Sequence, residues 1–453
     1  MKNMAEENKL GTAPVGRLLT SLAIPCITAQ VVNLLYNIVD RIYIGHIPEI
    51  GSTALTGVGV TFPIITIISA FSALVGMGGA PRASIRMGQK DNDGAEKILG
   101  NCMALSIILS ILLIVGFEIF GQPLLMLFGA SENTIGYGWS YMSIYVLGTF
   151  FVTVTMGLNN FISAQGFAKT SMLTVIIGAV INIVLDPVFI FVFNMGVAGA
   201  AWATILSQAI SCVWVLKFLT SQKSILKIRR KNIHLQKEII LPVVALGVSP
   251  FIMQSTESLL NICFNMSLQK YGGDLAVGAM TILSSIMQFF TLPIMGLAQG
   301  AQPIVSYNYG AHNKERVKKA FRLLFICAVT FSTAFWLLNM LAPRLLVSLF
   351  ASTQELQDYS AWALRIYLAA AFMMGVQNSC QQTFVALGEA KISLFLALLR
   401  KIILLIPLIF ILPLFLADQV FAVFLAEPIA DFLAAVTTFI CFRVKFSKIL
   451  AKM

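Results

Sequence analysis

Apolar residues run along this chain in long unbroken stretches, each ended by turn residues or by charges. Twelve stretches read as helices, at about 17–45, 54–80, 97–120, 136–162, 170–193, 197–219, 239–268, 275–300, 320–342, 357–385, 392–415 and 420–443. Each is longer than the roughly 20 residues that cross a bilayer as a helix, and they recur too often for a single anchor. Because the runs are continuous rather than alternating, helices do the spanning and not the strands of an outer-membrane barrel. The pattern predicts an all-α membrane protein with twelve transmembrane helices.

The helices fall into two sets of six. The longest connector, 220–237, carries Lys223, Lys227, Arg229, Arg230 and Lys231 and divides the chain nearly in half. Three short stretches recur at one offset of 222 residues: Gly88-Gln-Lys-Asp answers Gly310-Ala-His-Asn, Leu127-Phe-Gly-Ala-Ser answers Leu349-Phe-Ala-Ser-Thr, and Ala164-Gln-Gly-Phe-Ala-Lys answers Ala386-Leu-Gly-Glu-Ala-Lys. Pro25 pairs with Pro250, and Pro187 with Pro407, at slightly different offsets. A fixed offset is the mark of an internal repeat. Six spans being even, the two repeats run parallel, related by an axis along the membrane normal, and transporters built that way bind substrate between the halves. The expected division is 1–222 for the N-terminal six-helix lobe, 223–238 for a cytoplasmic basic linker and 239–453 for the C-terminal lobe.

Polar residues inside the apolar runs then become informative. Gln30, Asn33, Asn37 and Asp40 follow one another at steps of three, four and three, which is one face of helix 1. An acid in hydrocarbon normally faces a bundle interior or a water-filled cavity and marks an ion or substrate path. The alternative is that Asp40 reaches the lipid headgroups, or that the stripe joins helices by hydrogen bonds. Asp40 lies about five residues from the outer end of helix 1, Asp186 and Asn182 about 7 and 11 from that of helix 5, and Thr204 about 7 inward on helix 6. At about 1.5 Å per residue, all four fall in the outer half within about 10 Å of one another in depth. Asn182 and Asp186 share a face at i and i+4, and Pro187 removes an amide donor next to them. Two carboxylates with an amide and a hydroxyl form a candidate proton or sodium site of hard oxygen ligands; the bland reading is a hydrogen-bonded polar plug.

The second half carries Gln254, Glu257, Asn261 and Asn265 on helix 7, and the first three match Gln30, Asn33 and Asn37 at a shift of 224. Asp40 falls opposite Phe264 and Asp186 opposite Ile406, so the acid cluster belongs to the first half alone. The candidate substrate cavity is lined by Gln30, Asn33, Tyr36 and Asn37 from the first half and by Gln254, Glu257, Asn261, Gln288 and Gln381 from the second. Helix 12 adds Glu427 and Asp431 near Pro428, helix 10 adds Gln377, Asn378 and Gln382, and Arg400, if it lies within the membrane, is a counter-charge for one of these acids.

Composition agrees and narrows the class. Of 453 residues 58% are hydrophobic and 11% charged, with a mean hydropathy of +0.86, against about 25% charged in soluble proteins. The net charge of +11 does not point to nucleic acid, because the basic residues are distributed by loop. With both termini cytoplasmic, 27 of the 31 Lys and Arg lie on that side, leaving Arg41, Lys270, Arg344 and Arg365. The positive-inside rule then places the chain in the cell (inner) membrane with both ends cytoplasmic, even with Arg400 and Lys401 inside helix 11. The seven cysteines stand singly with no ligand spacing, the three histidines fall in loops or helix ends, and residues 1–16 lack the apolar core of a signal peptide. No phosphate-binding Gly-x-x-x-x-Gly-Lys-Ser/Thr loop occurs, and neither does a metal-binding acid pair on a loop that would suggest a membrane transferase.

Tyr36-Asn-Ile-Val-Asp40-Arg-Ile-Tyr-Ile-Gly45, Asn182-Ile-Val-Leu-Asp186-Pro187, Gly196-Val-Ala-Gly-Ala-Ala-Trp-Ala-Thr204 and the 6+6 repeat resemble the multidrug and toxic compound extrusion (MATE) family of cation-coupled efflux transporters. The resemblance runs the length of the chain. It implies a cation site in the N-terminal lobe made of Asp40, Asn182, Asp186 and Thr204, which would be metal ligands if the coupling ion is Na⁺. Glu257 resembles a helix 7 acid that some branches pair with an acid on helix 10, where this chain has only amides. The function implied is secondary antiport, not an enzyme: amphipathic cationic or aromatic organic compounds leave while H⁺ or Na⁺ enters. No cofactor beyond the coupling ion is implied, and the chain is expected to act as a monomer with small organic substrates and the lipid bilayer as partners and no nucleic acid. The alternative, from the same superfamily, is a flippase for lipid-linked oligosaccharides, which would favour more spans and a basic cavity.

Overall fold

In hydrocarbon a chain has no water to hydrogen-bond its backbone, so each apolar run must satisfy itself as a helix. The computed structural model describes residues 8–351 and 353–453, and among them there is no strand. The first seven residues, part of the polar N-terminal stretch, and Ser352 in one repeat match lie outside the described residues.

Among the described residues nine helices are long and apolar enough to cross a membrane, and two more crossings are bent pairs. One of the nine, Lys237–Gly310, has 74 residues, a length of about 110 Å against a hydrocarbon core of about 30 Å. It breaks at Gly273 (φ 64°, ψ −160°), a conformation open to glycine alone, and so supplies two crossings, twelve in all. In chain order they are α1 Val15–Gly45, α2 Phe62–Gly88, α3 Asn92–Leu127, α4 Ile135–Leu147 with Thr149–Ala164, α5 Ala168–Val192 and α6 Gly196–Thr220. The second six are α7 (237–272), α8 (274–310), α9 Lys314–Leu341, α10 Gln354–Tyr367 with Ala371–Ala386, α11 Ala390–Phe415 and α12 Gln419–Ala451.

Three details depart from the apolar pattern. The second crossing starts at Phe62 rather than near 54, because Pro63 sits in its first turn and a separate helix, Gly51–Gly59, precedes it. α4 and α10 bend by 57° and 48°, at equivalent places in the two halves, where hydropathy alone reads one straight helix. α5 and α11 each contain a π-helical turn, Val188–Val192 and Leu399–Leu405. One follows Pro187 and the other precedes Pro407; such turns mark functional positions often enough to single out their surroundings.

The repeat is visible in paired contacts. The Ser84 hydroxyl donates to the Ala164 carbonyl at 3.3 Å, and Ser306 donates to Ala386 at 2.7 Å, the same bond displaced by 222 residues. A Cβ on Gly88 would lie 2.0 Å from the Tyr307 carbonyl oxygen, and one on Gly310 would lie 2.0 Å from that of Ile85. These reciprocal approaches hold the two halves together at the end of the bundle that carries the basic loops. Further along, the Phe71 and Phe251 rings meet edge-on at 4.9 Å, and Gln30 donates to Gln299 at 3.0 Å. The connector is seated on the first half, where Gln165 Oε1 accepts from the backbone of Ile225 and Leu226 at 2.8 and 2.9 Å and from the Ser224 hydroxyl at 3.0 Å.

Candidate cation site and the space between the halves

α5 packs against both α1 and α6, and the polar groups of these three helices meet inside the first half. Asn182, Asp186 and Thr204 are all buried. The Asn182 amide donates to Asp186 Oδ1 at 3.2 Å and to Thr204 Oγ1 at 3.4 Å, while the Thr204 hydroxyl donates to the Ala200 carbonyl at 3.0 Å. The Asp40 carboxyl faces that of Asp186 within hydrogen-bonding reach. Tyr36 and Tyr141 close the site, with the Tyr141 hydroxyl within reach of Thr204. Pro187 lies beside it and has no N–H to give the Ile183 carbonyl one turn back.

The oxygens left over define the chemistry. Asp40 Oδ1, Asp186 Oδ2 and Asn182 Oδ1 are buried with no hydrogen-bond donor, an arrangement that costs about 1–3 kcal/mol for each such group. Two carboxylates sharing one site also repel each other unless a cation lies with them. A proton satisfies the pair, and so does a hard metal ion, for which carboxylate, amide and hydroxyl oxygens are suited donors. Among the described residues no group of three or more His, Cys, Asp and Glu side chains is placed to hold a metal, so a metal here would use the Asn182 and Thr204 oxygens alongside the two acids.

Beyond the Gln30–Gln299 bond the helix 1 stripe continues with half-buried Asn33 and exposed Asn37, whose amide donates to the Asn33 carbonyl at 2.7 Å. Tyr36, one residue before Asn37, turns toward Asp40 and Asp186 instead. Across the gap, Gln254 is half-buried with Oε1 lacking a donor, and Glu257 and Asn261 are exposed. Gln288 is exposed too and, eleven residues before Gln299, lies on the same helix face. Gln381 is different: it is buried inside the second half with its amide 3.4 Å from the Met253 sulfur.

The reading of Glu257 as a lone carboxylate among amides is corrected. The Lys401 ammonium pairs with it and donates to the Met253 carbonyl at 2.7 Å. Arg400, the next residue, pairs with Asp431 at 2.6 Å and Glu427 at 3.2 Å. Lys401 was counted with the basic side, with the alternative that it lies inside helix 11, and it does lie there; its acid partner was missed, although the run Leu398-Leu399-Arg400-Lys401-Ile402-Ile403 carried the signal, since two cations with apolar neighbours on both sides in mid-span require acids. Tyr141 was also missed. Nothing in the aromatic-rich start of α4 distinguishes it.

The sequence pattern of the MatE family matches residues 25–188 and 250–411, the first five helices of each half. The chain is 25% identical over 414 residues to multidrug export protein MepA of Staphylococcus haemolyticus (strain JCSC1435), covering 91% of this chain and 90% of that protein. MepA of Staphylococcus aureus (strain NCTC 8325 / PS 47) is 24% identical over 404 residues, covering 88% and 87%. A solved structure described as the outward-facing conformation of a multidrug resistance MATE family transporter of the MOP superfamily superposes with a TM-score of 0.90 at 23% identity, over 100% of both chains.

Proposed function

Since the chain belongs to the MatE family, whose members are transporters rather than enzymes, we propose that it exports amphipathic, cationic or aromatic organic compounds in exchange for H⁺ or Na⁺. The observation that carries this reading is the set of three buried acceptor oxygens, on Asp40, Asn182 and Asp186, that no donor meets. A cation entering the pair removes the repulsion between the two carboxylates and lets α1 and α5 close on it. When it leaves, the repulsion returns. Occupancy therefore biases how α1, which also walls the space between the halves, packs against α5, and differential binding to two packings is what an ion-driven cycle requires. The stripe of Gln30, Asn33 and Asn37 facing Gln254, Glu257, Asn261 and Gln288 would hold the cargo.

The basic end, with both termini and the Gly88–Gly310 contact, is the cytoplasmic side of the cell membrane in this reading, by the positive-inside rule. With that end closed by the Gly88–Gly310 approach, this reading takes the conformation as the one that faces outward. The transporter works as a monomer. The flippase alternative would need free basic groups to hold a pyrophosphate, whereas Arg400 and Lys401 are each committed to acids.

Efflux of ethidium from sealed vesicles, with pH and sodium gradients imposed separately, tests the proposal. The gradient that drives efflux identifies the ion. Asp40→Asn and Asp186→Asn are each expected to abolish driven efflux while the protein stays folded and inserted; parent-rate efflux in either variant removes that residue from the coupling site.

A further inference from the structure

Consecutive cations on the π turn of α11 face acids on two different helices. Arg400 turns to Glu427 and Asp431 of α12, and Lys401 to Glu257 of α7. The second pair straddles a boundary: the Lys401 side chain is 4% exposed and that of Glu257 59%. The ammonium is thus inside the lobe, and the carboxylate is at the edge of the space between the halves. Three carboxylates, on Glu257, Glu427 and Asp431, share the two cations. Glu427 lies within electrostatic reach of both Lys401 and Glu257, and Tyr367 borders all three acids. A cavity of about 30 Å³ bounded by Met253, Gln377, Gln381, Arg400 and Lys401 lies beside the ammonium and is large enough to hold a water, which leaves the lysine side chain room to move.

Resting on the reading that the cargo includes organic cations, we infer that Lys401 is a tethered counter-ion that competes with cationic cargo for Glu257. A cation docking on Glu257 displaces the ammonium, which turns inward toward Glu427 and Asp431. No proton moves and no covalent bond changes. Because the competitor is attached to the chain, its local concentration is high and fixed, so Glu257 binds cations more weakly than a free carboxylate in the same place and releases them faster. A neutral aromatic cargo displaces nothing and is indifferent to Lys401. The lysine is therefore a specificity-determining residue, which holds cation affinity in the range where release remains possible.

Equilibrium binding to the purified transporter, without any gradient, tests this with tetraphenylphosphonium as the cation and triphenylphosphine oxide as its neutral counterpart. Lys401→Met is expected to bind tetraphenylphosphonium about tenfold more tightly than the parent, a change of about 1.4 kcal/mol, with the neutral probe unchanged. Glu257→Gln weakens the cation, and Lys401→Met combined with Glu257→Gln behaves as Glu257→Gln alone. Lys401→Met that binds the neutral probe normally but the cation no more tightly overturns the inference, as does a gain that persists without Glu257. If Lys401→Met does not accumulate, Glu427→Gln carries the test: it takes away the acid that receives the displaced ammonium and weakens the cation several-fold, and unchanged affinity overturns the inference. A parent protein that binds neither probe overturns the export reading and the inference with it, whereas binding without a gain in Lys401→Met overturns the inference alone.

Discussion

Gly88→Ala tests the contact that closes the basic end. A Cβ there would stand 2.0 Å from the Tyr307 carbonyl oxygen, where ordinary contact begins at 3.4 Å, so the halves must part locally by about 1.4 Å. The obstructing atom is backbone in a helix and cannot swing aside as a side chain would. Overpacking of this kind costs about 1–3 kcal/mol, and about 2 kcal/mol shifts a two-state ratio roughly 30-fold. The cost applies only to the packing in which the two halves touch here, so Gly88→Ala should lower the population of that state and raise the one open at the basic end. Gly310→Ala meets the Ile85 carbonyl at 2.0 Å in the mirror contact and should do the same. The two substitutions share one junction, so the double variant should shift the ratio by less than the product of the singles. Spin labels at Gln89 and Glu315, both exposed, in a background without native cysteines, report the separation. An unchanged distance distribution in Gly88→Ala, or full additivity in the double variant, refutes the reasoning.

Two further outcomes are expected. A cysteine at exposed Lys231, in the same background, should react with an impermeant thiol reagent only from the cytoplasmic side, and labelling of intact cells would reverse the orientation; Ser224 is unsuited as a reporter because it is buried under Gln165. Arg400→Met should destabilise the protein by about 3–5 kcal/mol by leaving Glu427 and Asp431 buried without their cation, read as a lowered Tm, and adding Glu427→Gln and Asp431→Asn should recover most of that loss.

The convergence of Asp40, Asn182, Asp186 and Thr204 was legible because each is polar within an apolar run. Helical period gives such a residue its face, and distance from the helix end gives its depth. Ser84 and Ser306 obey the 222-residue offset because each half repeats the same internal bond, and Gly88 and Gly310 obey it because a contact across a two-fold axis must be made twice. The bend in α4 was not legible. It depends on how closely α6 approaches: a Cβ on Gly148 would lie 2.5 Å from the Ile205 side chain, and hydropathy carries no information about a neighbouring helix. The charge count likewise assigned Lys401 to the loop side, because counting by segment treats every cation near a connector as solvated.

The repeat fixes the backbone of both halves but leaves their interiors free to differ, and the difference separates two tasks. In the first half Asp40 and Asp186 face each other, and neither forms a salt bridge among the described residues, so in the proposed cycle their neutralising charge is one that comes and goes. In the second half the corresponding helix carries Arg400 and Lys401, and these cations are covalently part of the chain. A tethered cation can neutralise an acid and yield to a competitor, but it cannot be delivered to the other side of the membrane. In the proposed cycle it is therefore the first half that exchanges a small cation with solution. The second half can change which acid its lysine attends, and that change is felt by whatever lies against Glu257. In the proposed cycle coupling and recognition therefore fall to different halves of one repeated backbone, according to whether the counter-charge is free or attached.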